Sequence, residues 1–353
     1  MLHQTKKHFE LLDGMRGIAA IAVVLFHFME IAQPDYRNNF IPRSYLAVDF
    51  FFCLSGFVIA YAYDSKLASI GLKRFFALRL IRLHPLVVIG SLIGILAFIY
   101  DPFSHLAASF SGLQKLGMFL SSITLVPYPA VPERYFNLFH LNPPTWSLFW
   151  EYIANILYAL LLVRLSNKAL WGLVLLAALA LCLEAFQSGY LAVGFGADNF
   201  WAGGIRLGFS FSMGLLIFRS NWVIKNKLPS FLIIGLLTLI FFIPFSEEYG
   251  KIIDPVLVIF YFPLLILLGI GAGSLKGMVK ICCKFLGDIS YPLYIIHYPF
   301  IWLFMSYVAL KHPSLPQMTM IITLGTMLLI VFSYLVLKYL DEPLRKYLFR
   351  RLN

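Results

Sequence analysis

The chain has 353 residues, of which 60% are hydrophobic and only 13% charged, and its mean hydropathy is +0.82. So little polar surface excludes a water-soluble enzyme or binding domain and makes lipid the main solvent. The net charge of +11 would suit nucleic acid in a soluble protein, but Lys and Arg cluster in particular connections and read as membrane topology, with no nucleic-acid partner implied.

A span needs about 20 mostly apolar residues. Apolar windows predict about ten, near 14–32, 46–64, 82–100, 145–163, 169–186, 199–218, 229–245, 254–273, 290–309 and 317–338. Lys6 and Lys7 precede the first run in the manner of a signal peptide. Asp13 and Arg16 lie close to that run and no small-residue cleavage site follows, so it reads as an uncleaved first span. The run near 115–127 is short and ends at Pro127 and Pro129, which predicts a re-entrant or interfacial piece within a long loop. With the N-terminus inside, 20 of the 28 basic residues fall on inner connections, among them Lys73, Arg74, Arg164, Lys225 and the tail residues Arg345, Lys346, Arg350 and Arg351. That bias predicts cytoplasmic N- and C-termini. No repeat or linker divides the chain, so the expected architecture is a single all-α domain over 1–353, a polytopic transmembrane helix bundle.

Ionisable residues inside spans are costly and mark wet cavities or bundle interiors. Taken in order along the chain, Arg16 and His27 share one face of the first span and stand about 16 Å apart along its axis. Asp49 opens the second span. Arg79 and Arg82, at i and i+3, offer adjacent guanidinium groups suited to a phosphate-rich ligand or to lipid headgroups. Pro143 and Pro144 precede the fourth span, where Trp146 and Trp150 read as interface residues. Glu151 follows about six residues into that span, a depth matching that of His27 if the two faces meet. Either Glu151 or Asp49 would then orient the imidazole as a general base. Arg206 and His297 fall nearer the midplane and suit an oxyanion or acceptor contact, although Arg206 would equally neutralise a buried carboxylate. Ser55-Gly56 suggests close helix approach. The four cysteines lack metal-ligand spacing, and no metal site, glycine-rich phosphate loop or nucleophile elbow is present in the sequence.

Five ordered motifs carry a resemblance. They are Leu12-Asp13-Gly14-Met15-Arg16 with His27; Asp49 to Phe57; Arg79-Leu80-Ile81-Arg82; Trp146-Ser147-Leu148 with Glu151; and Ser290-Tyr291-Pro292-Leu293-Tyr294 with His297. Over nearly its whole length the chain resembles the acyltransferase-3 family of membrane O-acyltransferases, which modify bacterial surface glycans, lipid-linked sugars and some secondary metabolites. His84 stands where that family more often has an aromatic residue, and Glu342-Pro343 is similar to a closing Glu-x-Pro element without its middle residue. The resemblance implies His27 as catalytic base, functional roles for Arg16, Arg79, Arg82 and Glu151, and an acyl-CoA donor, commonly acetyl-CoA, bound from the cytoplasmic side. It implies a multi-pass protein of the bacterial cytoplasmic (inner) membrane, no permanently bound cofactor, and a carbohydrate or lipid-linked glycan as acceptor. Some relatives carry a fused extracytoplasmic esterase-like domain. None is expected here, so any envelope-synthesis partner would be a separate protein.

Two other readings of the same polar residues stand beside it. Intramembrane His, Glu, Asp and Arg also mark a proton-coupled transporter or exporter, although no repeated pair of broken helices appears in corresponding halves. A non-catalytic scaffold would depend on lipid-facing packing and tolerate loss of the polar residues.

Overall fold

The computed structural model describes residues 8–129, 131–135 and 137–352; Lys6 and Lys7 lie outside the described residues. The helices in chain order are α1 (Glu10–Ala32), α2 (Ala47–Tyr63), α3 (Leu67–Ile99), α4 (Gly112–Thr124), α5 (Thr145–Leu160), α6 (Asn167–Ser188), α7 (Phe200–Arg219), α8 (Ser230–Phe241), α9 (Gly250–Val256), α10 (Phe262–Gly271), α11 (Gly277–Ile296), α12 (Tyr298–Lys311), α13 (Leu315–Val336) and α14 (Glu342–Leu352). Each predicted apolar segment coincides with helix. Among the described residues seven helical stretches are long and apolar enough to cross a bilayer, and the bent pair α11–α12 makes an eighth. The other two predicted spans are shorter, 16 residues in α5 and 12 in α8. The run near 115–127 forms the 13-residue α4, too short to cross, which packs on α3 through a Ser91–Ser122 hydroxyl bond of 2.8 Å.

The core has α1 against α11 and α2 against α7. Small residues make the second contact possible: a Cβ on Gly56 would sit 2.1 Å from the Phe211 carbonyl oxygen, and one on Gly214 2.0 Å from that of Cys53. In α3 the chain bends at Gly71, whose φ of 74° suits glycine, and then runs on as helix through Lys73 to Arg82. Both predicted donor arginines therefore lie inside a helix rather than on a loop.

Two features bring backbone and polar groups deep into the bundle. Pro299 has no N–H to return to the carbonyl of residue 295 and its ring crowds that group. The helix breaks at His297, and α12 leaves α11 at 52°. The freed Ile295 carbonyl accepts from Asn142 Nδ2 at 2.9 Å. Asn142 belongs to the second feature, the connection from α4 to α5, in which Leu138, Phe139, His140, Leu141 and Asn142 are buried. This connection dips into the protein before α5 begins, so Trp146 and Trp150 are buried core residues and not the interface belt expected from their position.

Two buried ion pairs tie α2 to α7 and the connection before α2 to α9. Arg206 donates from Nε and Nη2 to the two oxygens of Asp49, at 3.2 and 2.6 Å. Arg43 pairs with Asp254, which also accepts from the Tyr45 hydroxyl at 2.8 Å and the Leu191 amide at 2.9 Å. Arg43 is fully buried.

Candidate functional site

A cavity of about 510 Å³ opens among α1, α2, α3, α5, α11 and the α13–α14 junction. Arg16, Arg79, Arg82, Lys284 and Arg345 supply its cations, and Ser147 and Tyr294 lie on its wall. Three of these cations are tied down. Arg16 donates to Ser290 Oγ at 2.8 Å and the Gly287 carbonyl at 2.9 Å, with Asp13 at 3.3 Å. Arg79 donates to Glu151 Oε1 at 3.0 Å, an oxygen that also accepts from the Ser55 hydroxyl at 3.0 Å. Arg345 pairs with Asp341 at 2.7 Å. Arg82 has neither ion pair nor hydrogen bond among the described residues, and its side chain is exposed to this cavity. The cavity thus presents one uncommitted guanidinium, flanked by others held in fixed positions, to an anionic guest.

His27 stands beyond the cavity wall but is joined to it by contact. Its Nδ1 lies 2.5 Å from Glu30 Oε2, and the other Glu30 oxygen accepts from the Tyr36 hydroxyl at 2.6 Å. Burial, with the Glu30 carboxylate beside it, holds the Tyr36 phenol well above its ordinary pKa, so it remains a donor. An ionised Glu30 fixes the imidazole proton on Nδ1 and leaves the Nε2 lone pair free to take another, the arrangement of a general base. The ring stacks on His297 with centroids 5.5 Å apart and meets Tyr298 edge-on at 4.7 Å. His297 in turn is 6.2 Å from Tyr294, whose hydroxyl bonds Ser147 Oγ at 2.8 Å on the cavity wall. A continuous path of contact therefore runs from the cation-lined cavity through Tyr294 and His297 to His27.

The structure gathers Arg16, Arg79, Arg82 and Glu151 at the cavity, and His27 with His297 beyond it. It corrects four expected roles. Glu151 does not orient His27 but holds Arg79, while the carboxylate at His27 is Glu30; α5 starts inside the protein, so a depth counted from its first residue does not identify its partner. Asp49 gives both oxygens to Arg206, so neither predicted carboxylate orients His27. Arg206 has all three guanidinium nitrogens engaged, the third donating to the Val193 carbonyl at 2.7 Å, which leaves it a structural clamp and not an oxyanion donor. His297 directs Nδ1 to the Leu293 and Tyr294 carbonyls at 3.1 and 2.9 Å. Its buried Nε2, without a partner, is then a lone pair and not the oxyanion donor expected. Glu30, Tyr36 and Arg345 were missed. A His-x-x-Glu pair on one helical face was the available signal for Glu30.

The model of the Acyltransferase domain family matches residues 9–338. The Rhizobium radiobacter protein named Protein 2 in picA locus is 32% identical over 196 residues, 53% of this chain and the whole of that protein. Peptidoglycan O-acetyltransferase OatA of Listeria monocytogenes serovar 1/2a is 25% identical over 378 aligned positions, covering 97% of this chain. The chain spans 56% of the length of that Listeria protein. No solved structure matches.

Proposed function

The chain belongs to the acyltransferase-3 family of membrane O-acyltransferases, and we propose that it moves an acetyl group from acetyl-CoA, bound from the cytoplasmic side, to a hydroxyl of a surface or lipid-linked sugar. The observation that carries this reading is the His27–Glu30 dyad, joined through His297 and Tyr294 to a cavity rich in arginine.

In this mechanism the donor's phosphates meet Arg82, with Arg79 beside it, while the thioester arm passes Arg16 toward Ser147 and Tyr294. A CoA thioester and a glycan on opposite sides of a bilayer meet only through the protein. The layer of Tyr294 and His297 must therefore open to admit the thioester to His27. There Nε2 takes the acceptor's hydroxyl proton as the oxygen attacks the acyl carbon. The tetrahedral intermediate collapses with loss of the CoA thiolate, which takes up the proton held by the His27 imidazolium and returns the base to its starting form. Glu30 stabilises the transient imidazolium without itself reacting.

Replacement of His27 by Ala tests the reading. The variant accumulates in the membrane, and cells carrying it lose O-acetyl groups from their surface glycans. Normal O-acetyl content in those cells removes His27 from the mechanism. Release of free CoA from acetyl-CoA by the purified protein, dependent on added acceptor, separates the enzyme from a transporter.

A further inference from the structure

The sequence places the donor arginines Arg79 and Arg82 on α3 and gives the basic tail a topological role. The structure puts the two together. The chain leaves α13 through a π-helical turn, Leu337–Asp341, which carries α14 back against α3. Between α3 and α14 lies a second cavity of about 500 Å³, open to solvent. Arg82, Glu342 and Arg345 line both this groove and the larger cavity, so the two are continuous at those residues. Lys346 and Arg350, at i and i+4 on one stripe of α14, bring the groove's cations to four against the single acid Glu342.

Those cations are incompletely satisfied. Arg82 and Arg350 have no ion pair among the described residues, and the Arg345 Nε is buried with no acceptor. Lys346 lies 3.9 Å from Glu342, which Lys338 already holds at 2.6 Å. Beside the charges, Leu78 and Ile81 from α3 and Phe349 from α14 add apolar lining of the kind that takes the flat face of a base. Lys346 and Arg350 are exposed along the groove and open to an incoming anion. Arg351, stacked on Tyr347, is the one that lies outside the groove.

We infer that α14 is the second wall of the donor site and that the groove it forms with α3 binds the phosphorylated adenosine end of the donor, a nucleotide bearing several phosphates. This rests on the acyl-CoA reading above. Anionic lipid headgroups share the phosphate chemistry, and the experiment separates the two sources.

Full-length protein is placed in nanodiscs of phosphatidylcholine alone, and Kd is measured for acetyl-CoA and for acetyl-pantetheine, which carries the same thioester arm without the nucleotide. In the double variant Lys346→Ala/Arg350→Ala the Kd for acetyl-CoA rises about 10- to 100-fold, as loss of one or two charge-assisted phosphate contacts gives. Its Kd for acetyl-pantetheine stays at the wild-type value. Adenosine 3′,5′-bisphosphate displaces acetyl-CoA from the wild type with an affinity that the variant loses. Arg351→Ala, which removes one of the same charges outside the groove, leaves all three values unchanged and reports on folding. Unchanged acetyl-CoA affinity in the double variant overturns the assignment. So does a difference from wild type that emerges only when phosphatidylglycerol is added to the nanodisc, which identifies lipid as the groove's ligand. Failure of the wild type to bind acetyl-CoA at all overturns the acyl-CoA reading itself and this assignment with it.

Discussion

Removing the Glu30 carboxylate is the sharpest test of how His27 is made a base. The 2.5 Å contact between Glu30 Oε2 and His27 Nδ1 is a charge-assisted bond, and both side chains are three-quarters or more buried, at 25% and 22% exposure. Such a bond contributes about 1.5–3 kcal/mol, against about 1 kcal/mol for a neutral one. Glu30→Ala deletes the bond, and at about 1.4 kcal/mol per decade kcat falls roughly 10- to 150-fold. Glu30→Gln is milder. Its amide oxygen still accepts from Nδ1 while the amide nitrogen turns to Tyr36, so only the charge is lost, about 0.5–2 kcal/mol, and kcat falls roughly 2- to 30-fold. Glu30→Asp, one methylene shorter, restores part of the loss. Because Glu30 acts through His27, the KM for acetyl-CoA stays constant across the series. The assay is CoA release by purified protein over a range of donor concentrations, with the thermal midpoint recorded for each variant. Wild-type kcat in Glu30→Ala refutes the dyad; so does a loss that tracks a lowered thermal midpoint in all three variants.

Further outcomes follow from other contacts. Arg82→Ala weakens acetyl-CoA binding by about tenfold or more, since it removes the cavity's uncommitted guanidinium, and direct binding measurements check it. Asp49→Ala strands the buried Arg206 charge and destabilises the protein by about 3–5 kcal/mol, whereas the double variant Asp49→Asn/Arg206→Met recovers much of that loss; thermal unfolding in detergent compares them. Gly56→Val drives a side chain into the Phe211 carbonyl and lowers the thermal midpoint sharply. Gly208→Ala, with open space around the new methyl, raises it slightly by about 0.5–1 kcal/mol of helix stability.

Much of the fold was legible because its determinants are local. Lipid requires every backbone group to bond within its own segment, so an apolar run of sufficient length becomes a helix wherever it later packs. The same locality put Arg16 and His27 on one face of α1 and Arg79 with Arg82 on one face of α3, and Ser55-Gly56 marked a close helix approach without marking α7 as its partner. The bend at His297 was not foreseen, since it follows from Pro299, whose missing N–H frees the Ile295 carbonyl. What sequence did not determine was which charge meets which. Depth was counted from the start of each span on the assumption that helices begin at the membrane surface, and α5 does not, because residues 137–144 dip into the bundle to satisfy the carbonyl that Pro299 frees. That one displacement moves Glu151 from His27 to Arg79 and leaves the dyad to Glu30, three residues along the same helix. Spacing along one helix is fixed by the backbone; partnership between helices depends on where each begins, and only the tertiary structure decided that.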